Sequence, residues 1–334
     1  MLNLLTDIAG IQVGHATDLR LGSGVTAVLF DQPATAAVVV LGGAPGSRDT
    51  AMLEPEMTQQ KVDGFALSGG SAFGLDAAGG VQSALRAQGR GLRLGPALVP
   101  LVPGAIVFDL NNGGDKEWGL HSPYRELGHQ AALAAAPGAF ALGTVGAGTG
   151  ATTAGVKGGV GSASAVASGG HIVAAVVVVN AIGSATIGMG PHFWAAPFEV
   201  GGEFGGRGWP GAITPADLAL RVKGPRPVPP TVEETATTIA LIATDAVLTK
   251  SQAKRLAIMA NDGLARALLP AHAPSDGDTV FAAATGAKPL AEGGLTELGH
   301  LATLVMARAI ARGVYEATAL PYPGALPAWR DRFG

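Results

Sequence analysis

Continuous apolar runs of strand length constrain the fold of this chain more than any other feature of its sequence. HIVAAVVVVN at 171–180 and TTIALIA at 237–243 are rich in β-branched residues, and DTVFAAAT at 278–285 has the same character. Side chains of a strand alternate between the two faces of a sheet, so a strand without polar alternation must be covered on both faces. These runs therefore predict a sheet that is buried between other layers.

Helical patterns lie between and after these strands. Residues 71–88 and 295–318 carry apolar positions at helical spacing, and Thr249 with Gln252 forms a capping-box pair ahead of another helix. Strands and helices do not alternate regularly, as they would in a doubly wound sheet. We therefore predict an α+β fold of packed sheet layers covered by helices, in a single domain of 334 residues.

Two further segments carry turn or linker signals. VTAVLF at 25–30 and AAVVVLG at 36–42 are separated by DQPAT, whose Asp and Pro favour a turn, so the segment predicts a β-hairpin. Residues 201–236 are rich in Gly and Pro with few apolar runs, which predicts a linker or mobile excursion. This linker ends where the strand at 237–243 begins.

Composition and motifs exclude several classes of protein. Only 14% of the residues are charged and the net charge is -3, which provides no basic surface for nucleic acid. There is no Cys, the 7 His residues are scattered, and Gly150 to Lys157 departs from the phosphate-loop pattern. The apolar run at 172–179 is far shorter than the ~20 residues of a membrane helix. We expect a cytoplasmic protein without a cofactor, metal, membrane or nucleic-acid partner.

The junction Ala236-Thr237-Thr238 is the strongest chemical signal in the sequence. A Pro-rich linker runs directly into a buried strand that begins with two hydroxyl residues. Thr at the start of a strand is ordinarily explained by β-propensity alone. The Thr237 hydroxyl could also attack the preceding carbonyl, pass through an ester and be released beside a free α-amine. That amine has a reference pKa of ~7.7–8 and could act as the general base of the hydroxyl.

Other polar residues could complete such a site. Asn180 at a strand end is a candidate oxyanion donor, and Lys157 lies in a glycine-rich segment. Asp276 and Asp278 could hold the new amine. Each residue alone also has an ordinary structural interpretation, because Asn caps turns and Ser-Asp-Gly-Asp is a common turn sequence. It is the combination with Thr237 that favours a catalytic site.

A second candidate site lies at 66–71. Ala66-Leu67-Ser68-Gly69-Gly70 approximates the nucleophile elbow of Ser-triad hydrolases, which leaves a Ser68-based esterase as an alternative. We prefer a binding role, in which the free N–H groups of a helix start receive a substrate carbonyl or carboxylate. Candidate substrate-binding residues are Ser68, Gly69, Gly70, Ser71 and Gly148. A non-catalytic protein that binds a small metabolite and keeps Thr237 internal is a further alternative.

Seven segments resemble the self-processing aminopeptidases of the DmpA type, which include L-aminopeptidase/D-esterases, β-peptidyl aminopeptidases and nylon-oligomer hydrolases. The resemblance runs across nearly the whole chain. The segments are TDIAGIQVGHATD at 6–18, GVTAVLF at 24–30, ALSGGSAFGLDAAGGV at 66–81, VGAGTGATTAGVKGG at 145–159, VVVNAIG at 177–183, TTIALIATDA at 237–246 and SDGDTVFAAATG at 275–286.

The resemblance implies a four-layer αββα sandwich, of a type shared with ornithine acetyltransferases, and cleavage just before the nucleophile. The fragments would be 1–236 and 237–334, would stay together in one protomer, and would assemble into a homo-oligomer with a tetramer favoured. An acyltransferase like the ornithine acetyltransferases is an alternative within the same chemistry.

Carried over by motif, the resemblance gives each candidate a role. Thr237 is similar to the nucleophile, Asn180 to an oxyanion donor and Lys157 to a polar helper near the attacked carbonyl. Asp276 and Asp278 resemble the pair that orients the nucleophile and its amine. Thr as nucleophile with Asp-Gly-Asp favours the nylon-oligomer branch, and hence amides of ω-amino acids alongside short peptides and amino acid amides.

The residue before the nucleophile departs from the family pattern. It is Ala236, where the Thr branch commonly carries Asn and the Ser branch Gly. We still predict self-cleavage, because the attacking atoms belong to Thr237.

Overall fold

The protein is built from eleven strands and five α-helices in residues 1–224 and 236–334, the parts of the chain that the computed structural model describes. The helices are α1 (Ala77–Ala87), α2 (Tyr124–Leu133), α3 (Lys250–Ala267), α4 (Gly294–Tyr315) and α5 (Trp329–Phe333). The strands are β1 (Ile11–Asp18), β2 (Ser23–Val40), β3 (Ser47–Arg48), β4 (Lys61–Ser68), β5 (Leu92–Leu94), β6 (Ala97–Val99), β7 (Gly104–Ile106), β8 (Val160–Val166), β9 (Ile172–Asn180), β10 (Thr237–Ala246) and β11 (Thr279–Lys288).

Nine of these strands are hydrogen-bonded in the order β3-β7-β4-β2-β11-β10-β9-β8, with β1 paired to β2. The β10–β11 and β4–β7 pairs are parallel and the other pairs are antiparallel. Strands β5 and β6 form a separate small hairpin. The apolar runs at 171–180, 237–243 and 278–285 correspond to β9, β10 and β11, three adjacent strands of the large sheet.

Strand β2 links the two halves of the sheet. Its first half pairs with β1 and β4, its second half pairs with β11, and its register against β4 shifts between Leu29 and Ala34. Asp31, Gln32 and Pro33 are exposed at this shift, where a Pro without an N–H interrupts no ladder bond. The predicted hairpin at this point is therefore wrong. The turn residues mark a break in the ladder of one long strand.

Three apolar cores separate four layers. The first core lies between α1 and α2 and the half-sheet of β1, β2 and β4. The second lies between the two half-sheets, where Val28 and Phe65 share a core with Val176 and Leu241. The third joins β8 to β11 with α3 and α4. This arrangement confirms the predicted α+β sandwich of the αββα type.

Several local predictions can be compared with the observed elements. The capping box of Thr249 and Gln252 is present at the start of α3. The helix expected over 71–88 begins as a 3₁₀ segment, Ser71–Asp76, before α1. Residues 201–224 of the predicted linker form turns and bends, and 225–235 lie outside the described residues. Within the described ranges, the helices are too short or too polar to cross a membrane.

Candidate active site

Thr237 and Asn180 face each other at the ends of two neighbouring strands. They are direct partners in the antiparallel β9–β10 pair, and directly opposite residues point to the same face of a sheet. Ile239 and Leu241, which alternate with Thr237 along β10, belong to the core between the half-sheets. Thr237 and Asn180 therefore lie at the end of this middle layer, and both are buried.

The hydroxyl of Thr237 lies against the peptide bond that precedes it. Its Oγ1 donates a hydrogen bond to the carbonyl oxygen of Ala236. The same oxygen accepts a hydrogen bond of 2.9 Å from the N–H of Gly277, and the Ala236 N–H donates to Ser275 at 3.2 Å. Two donors therefore polarise the carbonyl of Ala236, and the hydrogen bond from its own N–H holds the residue against the loop that contains Ser275 and Gly277.

Gly277 occupies a position that only a residue without a side chain fits. A Cβ atom there would lie 2.7 Å from Thr237 Oγ1 and 2.8 Å from the carbonyl oxygen of Ala44. In the sequence, Gly277 stands only as the residue between Asp276 and Asp278. A Gly at this position indicates that the backbone approaches another group closely, but it does not identify that group.

Asp276 and Asp278 are both buried, and their carboxylates accept hydrogen bonds from backbone N–H groups. Asp278 accepts from Thr238 at 2.7 Å and from the His272 ring at 2.8 Å, which anchors the start of β10. Asp276 accepts from Ile182 at 3.2 Å and Ala273 at 3.0 Å. Burial, followed by the charge of Asp278, raises the pKa of Asp276 to about 6. The pair brackets Gly277 and stabilises the loop that carries its N–H.

The side-chain amide of Asn180 is held by three partners. Its Nδ2 donates to the Phe108 carbonyl at 3.0 Å, and its Oδ1 accepts from the Thr152 N–H at 3.0 Å. Lys223 Nζ donates at 2.7 Å to both Oδ1 and the backbone carbonyl of Asn180. An amide nitrogen carries two hydrogens, and within residues 1–224 and 236–334 the Phe108 carbonyl accepts one of them. Lys223 could not be identified from the sequence, since a Lys in a polar loop carries no distinctive signal.

Lys157 is a buried amine next to this cluster. Its Nζ donates to the carbonyl oxygens of Gly148 at 2.9 Å and Gly158 at 2.8 Å. Burial lowers the pKa of Lys157 to about 7; the charge of Lys223 lowers it further, and Asp109 opposes the shift. An amine with this pKa can give or accept a proton near neutral pH. Gly148 thus contacts Lys157 through its carbonyl; its predicted contact with substrate stays a prediction.

The segment from Ser68 to Ser71 packs against the protein interior. Gly69, Gly70 and Ser71 donate their N–H groups to Gly24 at 2.9 Å, Asp109 at 2.8 Å and Val107 at 3.0 Å. The buried Ser68 hydroxyl donates to the Gly69 carbonyl at 2.9 Å.

The glycines of this segment have no room for side chains. A Cβ at Gly69 would lie 2.2 Å from Asp109, and one at Gly70 would lie 2.1 Å from the Tyr124 ring. These contacts give the two glycines a packing role. Substrate binding by this segment stays a prediction.

A cavity of about 1120 Å³ opens beside this cluster and is called the site cavity below. Thr152 and Lys223 line it, and both also hold the Asn180 amide; Asn180 and Thr237 are not among its described lining residues. Its other lining residues are Phe108, Asp109, Asn111, Asn112, Gly113, Gly150, Thr153, Ala154, Gly155, Lys157, Met189, Ala216, Ala219, Arg221, Val222, Gly224, Leu320, Pro323, Gly324, Ala325 and Leu326.

The family model for peptidase family S58 matches residues 3–324. A protein of Mycobacterium tuberculosis named as an uncharacterized aminopeptidase is 40% identical over 99% of this chain and 98% of its own. A 6-aminohexanoate-oligomer endohydrolase of Agromyces is 28% identical over 84% of this chain and 74% of its own. The L-aminopeptidase D-Ala-esterase/amidase of Ochrobactrum anthropi, described as a variant of the Ntn hydrolase fold, is 21% identical with a TM-score of 0.71, covering 99% of this chain and 92% of its own.

The sandwich has the Ntn hydrolase fold, and the family match indicates an amidohydrolase. The chain belongs to peptidase family S58. The resemblance to DmpA-type aminopeptidases and nylon-oligomer hydrolases is therefore confirmed.

Proposed function

We propose that this protein cuts itself between Ala236 and Thr237 and then hydrolyses amides through an acyl-enzyme on Thr237. The observation that carries this proposal is the pair of hydrogen bonds on the Ala236 carbonyl, one from Thr237 Oγ1 and one from Gly277 N–H. A nucleophile already in contact with the peptide bond that it attacks needs little reorganisation.

In the maturation step, Thr237 Oγ1 adds to the carbonyl carbon of Ala236 and the Gly277 N–H stabilises the oxyanion. The C–N bond to Thr237 then breaks, and the hydroxyl proton ends on the departing nitrogen, which becomes the α-amine. Water hydrolyses the ester that joins Ala236 to Oγ1. The products are a carboxylate on Ala236 and a Thr237 with a free hydroxyl and a free amine.

Substrate turnover repeats this chemistry on an external amide. The free α-amine of Thr237 takes the hydroxyl proton as Oγ1 adds to the substrate carbonyl. The Gly277 N–H and the remaining Asn180 Nδ2 hydrogen hold the oxyanion, and the amine product leaves. Water releases the acid. The family and its relatives support short peptides, amino acid amides and ω-amino acid oligomers as substrate classes.

Intact mass and N-terminal sequencing of the purified protein test the proposal. We expect a 98-residue fragment that begins Thr237-Thr238-Ile239. Thr237→Ala should remain a single chain without amidase activity, whereas Ser68→Ala should still be cut and active. An uncut wild-type chain that hydrolyses amides and loses that activity in Ser68→Ala would overturn the proposal in favour of a Ser-based esterase.

The homo-oligomeric state, with a tetramer favoured, and the cytoplasmic location stay predictions. Light scattering coupled to size-exclusion chromatography measures the oligomeric state. Product analysis with added amine acceptors separates a hydrolase from an acyltransferase, because only the latter gives a new amide.

A further inference from the structure

His272 has a left-handed backbone conformation just ahead of the Asp276-Gly277-Asp278 loop. Its φ is 57°, in a region that few residues other than Gly adopt. Among the other residues, His, Asn and Asp adopt this region more readily than most. Where a chain turns through such a conformation, neighbouring N–H groups point to the same side and form a site for anionic groups. The two aspartates that follow His272 are such groups.

The N–H groups of His272 and Ala273 each donate to a different aspartate. The His272 N–H donates to Oδ2 of Asp278 at 3.0 Å, and the Ala273 N–H donates to Oδ2 of Asp276 at 3.0 Å. The Asp276 N–H donates in turn to the Ala273 carbonyl at 2.9 Å, which closes the turn. Two consecutive N–H groups therefore contact both carboxylates of the pair.

The imidazole ring of His272 adds a third donor. Its Nδ1 lies 2.8 Å from Oδ2 of Asp278, the oxygen that also accepts the His272 N–H. An ionised carboxylate only accepts hydrogen bonds, so Nδ1 carries the proton in this contact. The His272 side chain is 21% exposed and that of Asp278 is 2% exposed. The ring therefore forms the outer edge of the contact.

Through the aspartates, these contacts reach both groups that act on the bond before Thr237. Oδ1 of Asp278 accepts the Thr238 N–H at 2.7 Å, at the start of β10. Gly277 lies between the aspartates and donates its N–H to the Ala236 carbonyl at 2.9 Å. A displacement near 1 Å at reacting atoms costs on the order of 10²-fold in rate. Small shifts of the aspartates are therefore sufficient to change the rate.

The main chain of the aspartates is held by a different loop. Leu41 and Gly42 donate to the Asp278 carbonyl at 3.1 Å and 3.2 Å, and Ala44 donates to the Asp276 carbonyl at 2.8 Å. These contacts fix the backbone but not the carboxylate of Asp278. In the described parts of the chain, both donors to Oδ2 of Asp278 belong to His272. The orientation of that carboxylate therefore depends on His272.

We propose that His272 is a positioning residue for the reaction of Thr237. Its left-handed backbone and its ring together orient Asp278, and the turn that it begins orients Asp276 through Ala273. This inference rests on the proposed self-cleavage and amidase function. It adds a residue that acts through the aspartates and not on the substrate.

Three substitutions separate the contribution of the backbone from that of the ring. His272→Asn keeps both, since Asn adopts the left-handed region and its amide places a donor nitrogen at the δ position. His272→Gly keeps the backbone conformation without the ring, and His272→Ala disfavours the conformation as well. A hydrogen bond to a charged group and a left-handed residue each contribute roughly tenfold, so we expect rate losses of about tenfold in His272→Gly and about 10²-fold in His272→Ala. His272→Asn should stay within about threefold of the wild type.

The measured quantities are the first-order rate constant for appearance of the 98-residue fragment, kcat and KM for an amino acid amide, and thermal unfolding. Self-cleavage and kcat should fall together, because the same groups serve both reactions, and KM should change little. Asp49→Ala is the matched control for backbone strain, because Asp49 has the same φ of 57° and its carboxylate pairs with Arg48 at 3.6 Å. It should lower thermal stability about as much as His272→Ala but keep both rates within about twofold.

The outcomes separate this inference from the function on which it rests. Wild-type rates of cleavage and turnover in His272→Gly and His272→Ala would overturn the positioning role and leave the self-cleaving amidase intact. Equal losses in His272→Asn and His272→Ala that follow thermal stability would also overturn it, because the donor at the δ position would then have no effect. A wild-type chain that stays uncut and inactive would instead overturn the proposed function.

Discussion

Replacing Gly277 by Ala perturbs the candidate nucleophile without removing any of its atoms. The added Cβ would lie 2.7 Å from Thr237 Oγ1 and 2.8 Å from the Ala44 carbonyl oxygen. Carbon atoms pack at about 3.5 Å or more from their neighbours, so something must move by roughly 0.8 Å. Ala44 resists such movement, because its N–H donates to Asp276 at 2.8 Å and its carbonyl belongs to the backbone. The Thr237 side chain and the Gly277 N–H are the groups that will be displaced.

We expect Gly277→Ala to reduce the reaction rates more strongly than the free energy of unfolding. Overpacking a well-packed site costs about 1–3 kcal/mol of unfolding free energy, which a protein of this size can tolerate. A displacement near 1 Å at the reacting atoms costs on the order of 10²-fold in rate. We therefore expect a folded Gly277→Ala protein whose self-cleavage and amide hydrolysis are each slowed on the order of 10²-fold.

The assay follows the appearance of the 98-residue fragment by mass spectrometry during refolding or early expression, together with thermal unfolding. Gly211→Ala is the matched control, because a Cβ at Gly211 meets no atom within 4 Å. It should be cut at the wild-type rate. If Gly277→Ala is also cut and active at that rate, the close approach of residue 277 does not set the position of the Thr237 hydroxyl.

Three other substitutions probe the remaining groups. Asn180→Ala removes an oxyanion donor and should lower kcat about 10²–10³-fold in steady-state assays; an unchanged kcat would exclude that role. Burial lowers the pKa of Lys157 to about 7, so a step that uses its neutral amine should accelerate as pH rises through that value. This inflection in the pH–rate profile should vanish in Lys157→Met. The pKa of Asp276, raised from 3.8 to about 6, makes the native state bind more protons than the unfolded state in this window. Stability should therefore rise as pH falls from about 6 to 4, and urea unfolding of Asp276→Asn should lack that rise.

The sandwich could be predicted to the extent that burial leaves a pattern in the sequence. Strands β9, β10 and β11 are covered on both faces, so they appear as continuous apolar runs with clear ends. The bend of β2 could not be predicted, because Asp31 and Pro33 give the same signal for a tight turn as for a break in a ladder. Helix α2 begins at Tyr124 and was not predicted, although Tyr124, Leu127 and Ala131 recur at helical spacing and are buried.

Some residues of the candidate site could be predicted from such a pattern and others could not. Thr237 and Asn180 could be proposed because Thr237 begins a strand and Asn180 ends one, and the apolar pattern of each strand locates these positions. Gly277 acts through its backbone N–H. The type of side chain at a position does not determine the direction in which the backbone N–H points. Lys223 lies in a segment without helix or strand, so only the folded chain places its ammonium on Asn180.

The contacts of Ala236 bear on the proposed self-cleavage, because this residue is neither Gly nor Asn. Ala236 is buried and lies in a parallel bridge with Asp276. Its carbonyl is positioned from outside, by the Gly277 N–H and by the bridge to Asp276. We therefore expect the proposed self-cleavage at this bond to depend on the loop that contacts the carbonyl more than on the buried methyl group of residue 236.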